Sequence, residues 1–328
     1  MQFVKFGQTG LTVSRMILGT GTFGKQTDER EAHRMLDKVA EAGINFIDTA
    51  DIFPPGAEVG GSEIITGRWL SNKRAGFILA TKGGGKMGQA AWDAGSSRKH
   101  LLDAIDASLR RLNTDYVDLY QLHIDDLIAP IDETVEAMDT IVRSGRARYI
   151  GVSNFLAYRL AKALGRQETL RLTRFVSAQP RYNLLFRQVE RELFPLAQEE
   201  GIAVIPFNPL AGGLLSGKYK HSDTPEKGRF SAELGGFGKS YHARYWHERE
   251  FETVARVQEI AKQQGEPITA LSVAWVLANP AVTSVILGAS RVEQVTDTLA
   301  AADYRLDSEL KAKLDEVTIE YRRGDEGK

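Results

Sequence analysis

Several polar side chains stand where apolar runs end. Asp48 and Thr49 follow INFI, Lys82 closes FILATK, and Gln121 and His123 close VDLYQLH. Ser153 with Asn154, then Gln179, then Asn208 end the next three runs. A carboxylate and an ammonium set this deep in apolar sequence must find partners, because an isolated buried charge is costly to desolvate. Asp48 and Lys82 fall on successive runs and can pair; a purely structural ion pair is the bland alternative. His123, on the following run, adds a third group able to hold or move a proton. Five residues beyond Asp48, in DTADIFPP, comes Phe53, whose ring can neither give nor take one. With six histidines and no His-x-His at the end of a run, the pattern does not suggest a metal-dependent hydrolase.

The apolar runs number eight: RMILGT (15–20), INFIDTA (44–50), FILATK (77–82), VDLYQLH (117–123), RYIGVSN (148–154), FVSAQP (175–180), IAVIPFN (202–208) and TSVILG (283–288). Each is apolar on both faces, as a parallel strand covered by helices requires. Helical spacing separates them. Leu101, Leu102, Ile105, Leu109 and Leu112 mark one helix; Ile131, Val135, Met138, Ile141 and Val142 mark another, which Gly145 can close. Asp28 and Glu31 make a capping-box pattern ahead of Met35, Leu36 and Val39. Eight strand–helix units predict one α/β domain over residues 1–328, a (β/α)₈ TIM barrel. A doubly wound sheet is disfavoured because no GxGxxG follows the first run. FVKFGQTGLTV reads as an N-terminal β-hairpin turning at 8–10 and capping the barrel bottom. Two stretches, 83–96 and about 214–245, read as long irregular loops over the C-terminal face. LDSELKAKLDEVTIEY reads as a C-terminal helix, and the tail after it as frayed.

Charge is balanced, with 42 Lys and Arg against 43 Asp and Glu among 328 residues, which argues against a nucleic-acid-binding surface. The absence of cysteine excludes disulfides, thiolate metal sites and a cysteine nucleophile. No basic-then-apolar leader opens the chain, and no apolar run reaches the roughly 18 residues that span a bilayer. A cytoplasmic protein without membrane or nucleic-acid partners is expected, a monomer or weak homo-oligomer.

In order and spacing, GINFIDTADIF, ATKGG, VDLYQLH, RYIGVSNF, SAQPRYNLLFR, PFNPLAGGLLSGKY and VILGASRVEQV resemble the motifs of the aldo-keto reductase superfamily, in its longer-looped bacterial branch. The resemblance covers nearly the whole chain. It implies NADPH-dependent reduction of an aldehyde or ketone by hydride transfer, with a catalytic group at Asp48, position 53, Lys82 and His123. In the family, position 53 is a tyrosine whose phenol protonates the substrate oxygen. A nearby ammonium lowers the phenol's pKa, the aspartate holds that ammonium, and the histidine donates to the same oxygen. Phe53 departs from this pattern and puts the acid step, not cofactor binding, in doubt. Three accounts stay open: an inactivating Tyr-to-Phe exchange, a natural variant in which His123 or water supplies the proton, and an NADP(H)-binding sensor without turnover.

The resemblance also implies the cofactor contacts. Ser153, Asn154 and Gln179 would hold the nicotinamide carboxamide, and Phe207 would stack on its ring. Asn208, Pro209, Leu210, Gly213, Leu214, Gly217 and Lys218 would wrap the pyrophosphate. Gly288, Ser290 and Arg291 would receive the adenosine 2′-phosphate, and Gln294, Asp297 and Thr298 would lie near the adenosine. Gly21, Thr22 and Asp48 complete the expected set. Phe23, Phe53, Trp92, Phe230, Phe237 and Tyr241 are expected to line the pocket of a small carbonyl compound or sugar.

Overall fold

The computed structural model describes residues 1–55, 57–302 and 304–323. The tail expected to fray lies, from 324 onward, outside the described residues. The chain opens with the expected hairpin: β1 (Phe3–Lys5) pairs antiparallel with β2 (Thr12–Ser14), Val4 opposite Val13. Phe6 and Val13 then enter one apolar cluster with Ile17, Phe46, Leu119, Ala203 and Ile286, which line the barrel interior. The hairpin thus plugs the barrel from below.

Strands and helices alternate from there. β3 (Met16–Gly19), α1 (Glu29–Glu41), β4 (Phe46–Asp48) and α2 (Gly61–Leu70) lead to β5 (Ile78–Gly83), α3 (Arg98–Leu112), β6 (Val117–Leu122) and α4 (Ile131–Arg143). β7 (Ala147–Ser153), α5 (Ala157–Thr169), β8 (Phe175–Gln179), α6 (Leu193–Glu199) and β9 (Ala203–Val204) follow. Three helices, α7 (Gly236–Tyr245), α8 (Glu248–Gln263) and α9 (Ile268–Leu277), precede β10 (Val285–Gly288), and α10 (Val292–Leu299), α11 (Ser308–Val317) and α12 (Glu320–Arg323) end the described chain. The eight parallel strands run β10-β3-β4-β5-β6-β7-β8-β9. The ring closes where the Thr283 and Ile286 amides donate to the Val204 and Pro206 carbonyls, at 2.8 and 2.9 Å. This is the (β/α)₈ barrel read from the sequence.

Strand parity places the site. Alternate residues face opposite sides of a strand. Phe46, Ile78, Ala80 and Leu119 fill the interior cluster, whereas Ile47, Leu79 and Tyr120 pack outward under the helices. Asp48 therefore shares the inner face with Phe46, Lys82 with Ile78 and Ala80, and Gln121 with Leu119. Local signals set the helices around them. Asp28 accepts from the Glu31 amide at 2.9 Å to start α1, Ser97 caps α3, and Gly145, at φ +80°, closes α4.

Of the two expected loops, 84–97 is irregular and is pinned by Asp126, which accepts from the Ser96 amide at 2.7 Å. The longer one departs from expectation: its C-terminal third is α7. GFGKSYHARY has two glycines and no apolar stripe, so nothing in it announces a helix. It is held instead by aromatic packing of Tyr241 and Tyr245 against Phe230 and the barrel rim. Among the described residues no helix is long and apolar enough to cross a membrane.

Candidate active site

At the C-terminal mouth, Lys82 Nζ donates to Asp48 Oδ2 at 2.6 Å and to the Thr49 carbonyl at 2.7 Å. Both charged side chains are almost wholly shielded, Asp48 at 3% exposure and Lys82 at 1%. The other carboxylate oxygen, Asp48 Oδ1, accepts from Gln179 Nε2 at 2.9 Å and, more distantly, from Gln121 Nε2 at 3.5 Å. The carboxylate is thus anchored by β8 and β6 and in turn fixes the ammonium. An ammonium has three N–H bonds. Two are engaged, and the Phe53 ring lies on the ammonium's remaining side, its centroid 5.3 Å from Nζ.

His123 meets Phe53 edge-on, with ring centroids 5.5 Å apart. Its Nδ1 is buried without a partner, which leaves Nε2 for the cleft. Burial first, and the Lys82 ammonium second, push its pKa down to about 3. The imidazole is therefore neutral at ordinary pH, able to donate a hydrogen bond but ineffective as an acid. The strand-end residues Asp48, Lys82, Gln121, Gln179 and His123 and the ring of Phe53 all come together.

Around this centre the cofactor candidates fall into three groups. Ser153 Oγ donates to the Gln179 carbonyl at 2.9 Å, and Asn154 Nδ2 donates to the His123 carbonyl at 2.9 Å. These bonds lock the ends of β6, β7 and β8 together and leave the Asn154 and Gln179 amide oxygens as acceptors toward the cleft. Asn154 does this at φ +57°, a left-handed conformation of the kind found at functional sites. Phe207 lies just past β9, against the interior cluster.

The segment after it turns through left-handed backbone at Asn208, Ala211, Gly212, Gly213 and Gly217. Asn208 Oδ1 accepts from the Gly212 amide at 2.6 Å and its Nδ2 donates to Tyr245 at 2.9 Å, so the turn is braced from α7. Pro209 and Leu214 are buried and anchor it; Leu210 is half-buried. Such a run of turned amides with glycines suits an anion.

The third group surrounds the start of α10. Gly288 and Arg291 are exposed, while Ser290 is tied through its amide and hydroxyl to Gln294 Oε1 at 2.8 and 3.2 Å. Asp297 faces solvent, and Thr298 is buried, its hydroxyl bonded to the Gln294 carbonyl. Thr22 is likewise buried, donating to the Ala289 carbonyl at 2.6 Å and tying the β3 loop to β10.

A feature no local sequence pattern announces is a set of cations without anionic partners. Among the described residues, the charged groups of Arg229, Lys218 and Arg291 form no hydrogen bond or ion pair, although Lys218 lies over the Tyr219 ring at 4.8 Å and Arg229 over the Phe237 ring at 5.3 Å. A methyl group added at Gly21 would touch both Arg229 Nη2 and the Phe53 ring at 3.4 Å, so the guanidinium reaches the site mouth. Burial and the facing charge of Arg291 lower the Lys218 pKa. Cations without anionic partners, two of them repelling each other, together with turned amides fit the phosphates of a dinucleotide.

Of the aromatic residues expected to line a substrate pocket, Phe230, Phe237 and Tyr241 pack together, while Phe23 and Trp92 stand apart from them. Phe23 is fully buried in the core under α1 and α2, and Phe230 and Tyr241 are buried in an aromatic cluster with Tyr219 and Trp246. Phe237 is half-buried, beside the Arg229 guanidinium at 5.3 Å, and Trp92 is 57% exposed on the rim.

Residues 15–319 match the aldo/keto reductase family. Of the relatives found, an uncharacterized oxidoreductase, YrpG, of Bacillus subtilis (strain 168) is 37% identical over 97% of this chain and 96% of its own. A probable voltage-gated potassium channel subunit beta of Arabidopsis thaliana is 36% identical over 92% of each chain. An L-glyceraldehyde 3-phosphate reductase of Escherichia coli O157:H7 is 33% identical over 92% of this chain and 87% of its own. The chain belongs to the aldo/keto reductase family.

Proposed function

We propose that the protein reduces an aldehyde or ketone to an alcohol with NADPH as cofactor, and that Phe53 slows the proton step. The buried Asp48–Lys82 pair beside His123 carries this reading, because nucleotide binding alone has no use for it. When bound, the reduced nicotinamide supplies a hydride to the carbonyl carbon. Asn154 and Gln179 orient it through their free amide oxygens; Lys218 and Arg229 neutralise its pyrophosphate, and Arg291 receives the 2′-phosphate. His123 gives a hydrogen bond to the substrate oxygen as charge grows there. Lys82 adds positive potential from behind Phe53. With no phenol at position 53 and a neutral His123, the oxygen takes its proton from water at the cleft side of His123.

A positioned proton donor contributes about 10²- to 10⁴-fold. Phe53→Tyr is expected to raise the rate of NADPH oxidation with a panel of aldehydes, ketones and sugars by that factor while NADPH binding stays within about threefold. Equal rates for the two forms would show that the ring at 53 has no part in proton transfer. Phe53 itself favours a second reading, an NADP(H)-binding sensor or regulatory protein on the same barrel, and the likeness to potassium channel beta subunits accords with it. Tight NADPH binding without turnover in either form would support that reading.

A further inference from the structure

Glu31 is read from sequence as half of a capping box, but its carboxylate does not turn back to Asp28. Asp28 caps α1 through the Glu31 amide, and the Glu31 side chain crosses to the opposite end of the barrel sequence. Its Oε1 accepts from the Val292 amide, the first of α10, at 2.7 Å, and its Oε2 accepts from Arg34 Nη1 at 2.8 Å. The carboxylate therefore sits on the helix start that, with Arg291, is expected to receive an adenosine 2′-phosphate. The cleft there, about 410 Å³, is lined by Asp28, Glu31 and Glu293 against Arg34 and Arg291. Three carboxylates oppose two guanidiniums, one of which Glu31 already holds. A 2′-phosphate in this cleft would compete with the carboxylate for the Val292 amide and stand close to it, at a cost in like-charge repulsion. An unphosphorylated ribose brings hydroxyl donors instead, which a carboxylate accepts.

We infer that Glu31 sets cofactor selectivity: it is a built-in anion that opposes the 2′-phosphate and admits the unphosphorylated dinucleotide. The inference rests on the cofactor reading above and deepens it, since NADPH is then held against a standing penalty and NADH becomes a competent rival.

Direct binding tests it without turnover. Dissociation constants for NADPH and NADH, and for adenosine 2′,5′-bisphosphate and AMP as fragments, are measured by calorimetry for the wild type, Glu31→Gln and Glu31→Ala. Glu31 lies on the partly exposed face of α1, and its capping contribution is a backbone amide, so both variants keep the fold; thermal midpoints check this. The ratio of the NADPH and NADH constants should move by about tenfold or more toward NADPH in both variants, with the bisphosphate and AMP following the same trend. An unchanged ratio in both, with dinucleotides still bound, would overturn the role of Glu31. Failure of every form to bind either dinucleotide would remove the cofactor reading and this assignment together.

Discussion

Asp51 should be a carboxylic acid, not a carboxylate, in the folded protein, and its replacement by asparagine should reveal this in stability. The residue lies three positions beyond Asp48, its amide donating to the Lys82 carbonyl at 3.1 Å. Its side chain is wholly buried, and neither oxygen has a hydrogen-bond partner. The charges nearby already cancel: Lys82 pairs with Asp48, and Arg111 Nε binds Glu63 Oε2 at 2.6 Å. A further anion would be compensated only in part, by the Ile52 amide and by the Arg111 and Lys82 charges. Burial, and then the like charge of Glu63, push the Asp51 pKa up to about 8.

The sign follows from linkage. An unfolded aspartate titrates near 3.9. Below that value both states are protonated and Asp51 is neutral in its effect. As pH rises the unfolded chain releases the proton while the folded one keeps it, so stability falls until about pH 8 and then levels. About four pKa units at about 1.4 kcal/mol each give a cost of order 5 kcal/mol at the plateau. Asparagine has the same shape and no ionisation. The stability difference between Asp51→Asn and the wild type should therefore grow by about 1.4 kcal/mol per pH unit between about pH 5 and 8. At about 2.1 cal/mol/K per residue, one kcal/mol is worth roughly 1.5 °C in a chain of this length. The gain in thermal midpoint should thus widen by about 6 °C from pH 5 to pH 8, with urea unfolding as a second measure. A difference that stays constant across this range would refute the reasoning and mean that Asp51 is ionised and compensated.

Two further outcomes follow from the same surroundings. His123 has a folded-state pKa below the ordinary 6.5, so its contribution to stability is present above that pH and is lost as pH falls toward 3; His123→Gln should flatten the acid side of the stability profile, and the wild-type kcat/KM should show no inflection near pH 6 to 7, whose appearance would mean a titrating imidazole. A Cβ at Gly83 would collide with the buried, unpartnered Tyr120 hydroxyl and press on the ring carbon that bears it, so Gly83→Ala should cost about 1–3 kcal/mol by overpacking.

The architecture was legible because burial repeats. Each apolar run carries a strand, and parity within INFID, FILATK and VDLYQ forces Asp48, Lys82 and Gln121 to the same side as Phe46, Ala80 and Leu119. Once the barrel is given, their meeting is nearly obligatory. The run at 202–208 kept only Ala203–Val204 as regular strand, since Pro206 has no amide to donate and Asn208 turns left-handed; yet the Pro206 carbonyl still receives β10. Aromatic residues were far less readable. Phe23 and Phe230 turn into cores while Trp92 turns out, and no local pattern separates the cases, because their orientation is decided by neighbours distant in sequence. Arg229 escaped notice for the same reason: it lies in a stretch without periodicity and acquires meaning only where it meets Gly21 and Phe53.

Those distant relations also explain how the barrel accommodates a phenylalanine at position 53. The Asp48–Lys82 pair is held by Gln179, Gln121 and the Thr49 carbonyl, none of which depends on a phenol. His123 is fixed through its carbonyl by Asn154, and the ring of Phe53 meets it edge-on. The framework therefore stands without a phenol: the third ammonium N–H lies toward the Phe53 ring, and one imidazole nitrogen is left for the cleft. The framework does not depend on the group at position 53, so a chain can keep the same arrangement with or without a phenol there. That is why the proposed Phe53→Tyr exchange should act on rate and leave both cofactor affinity and stability close to their starting values.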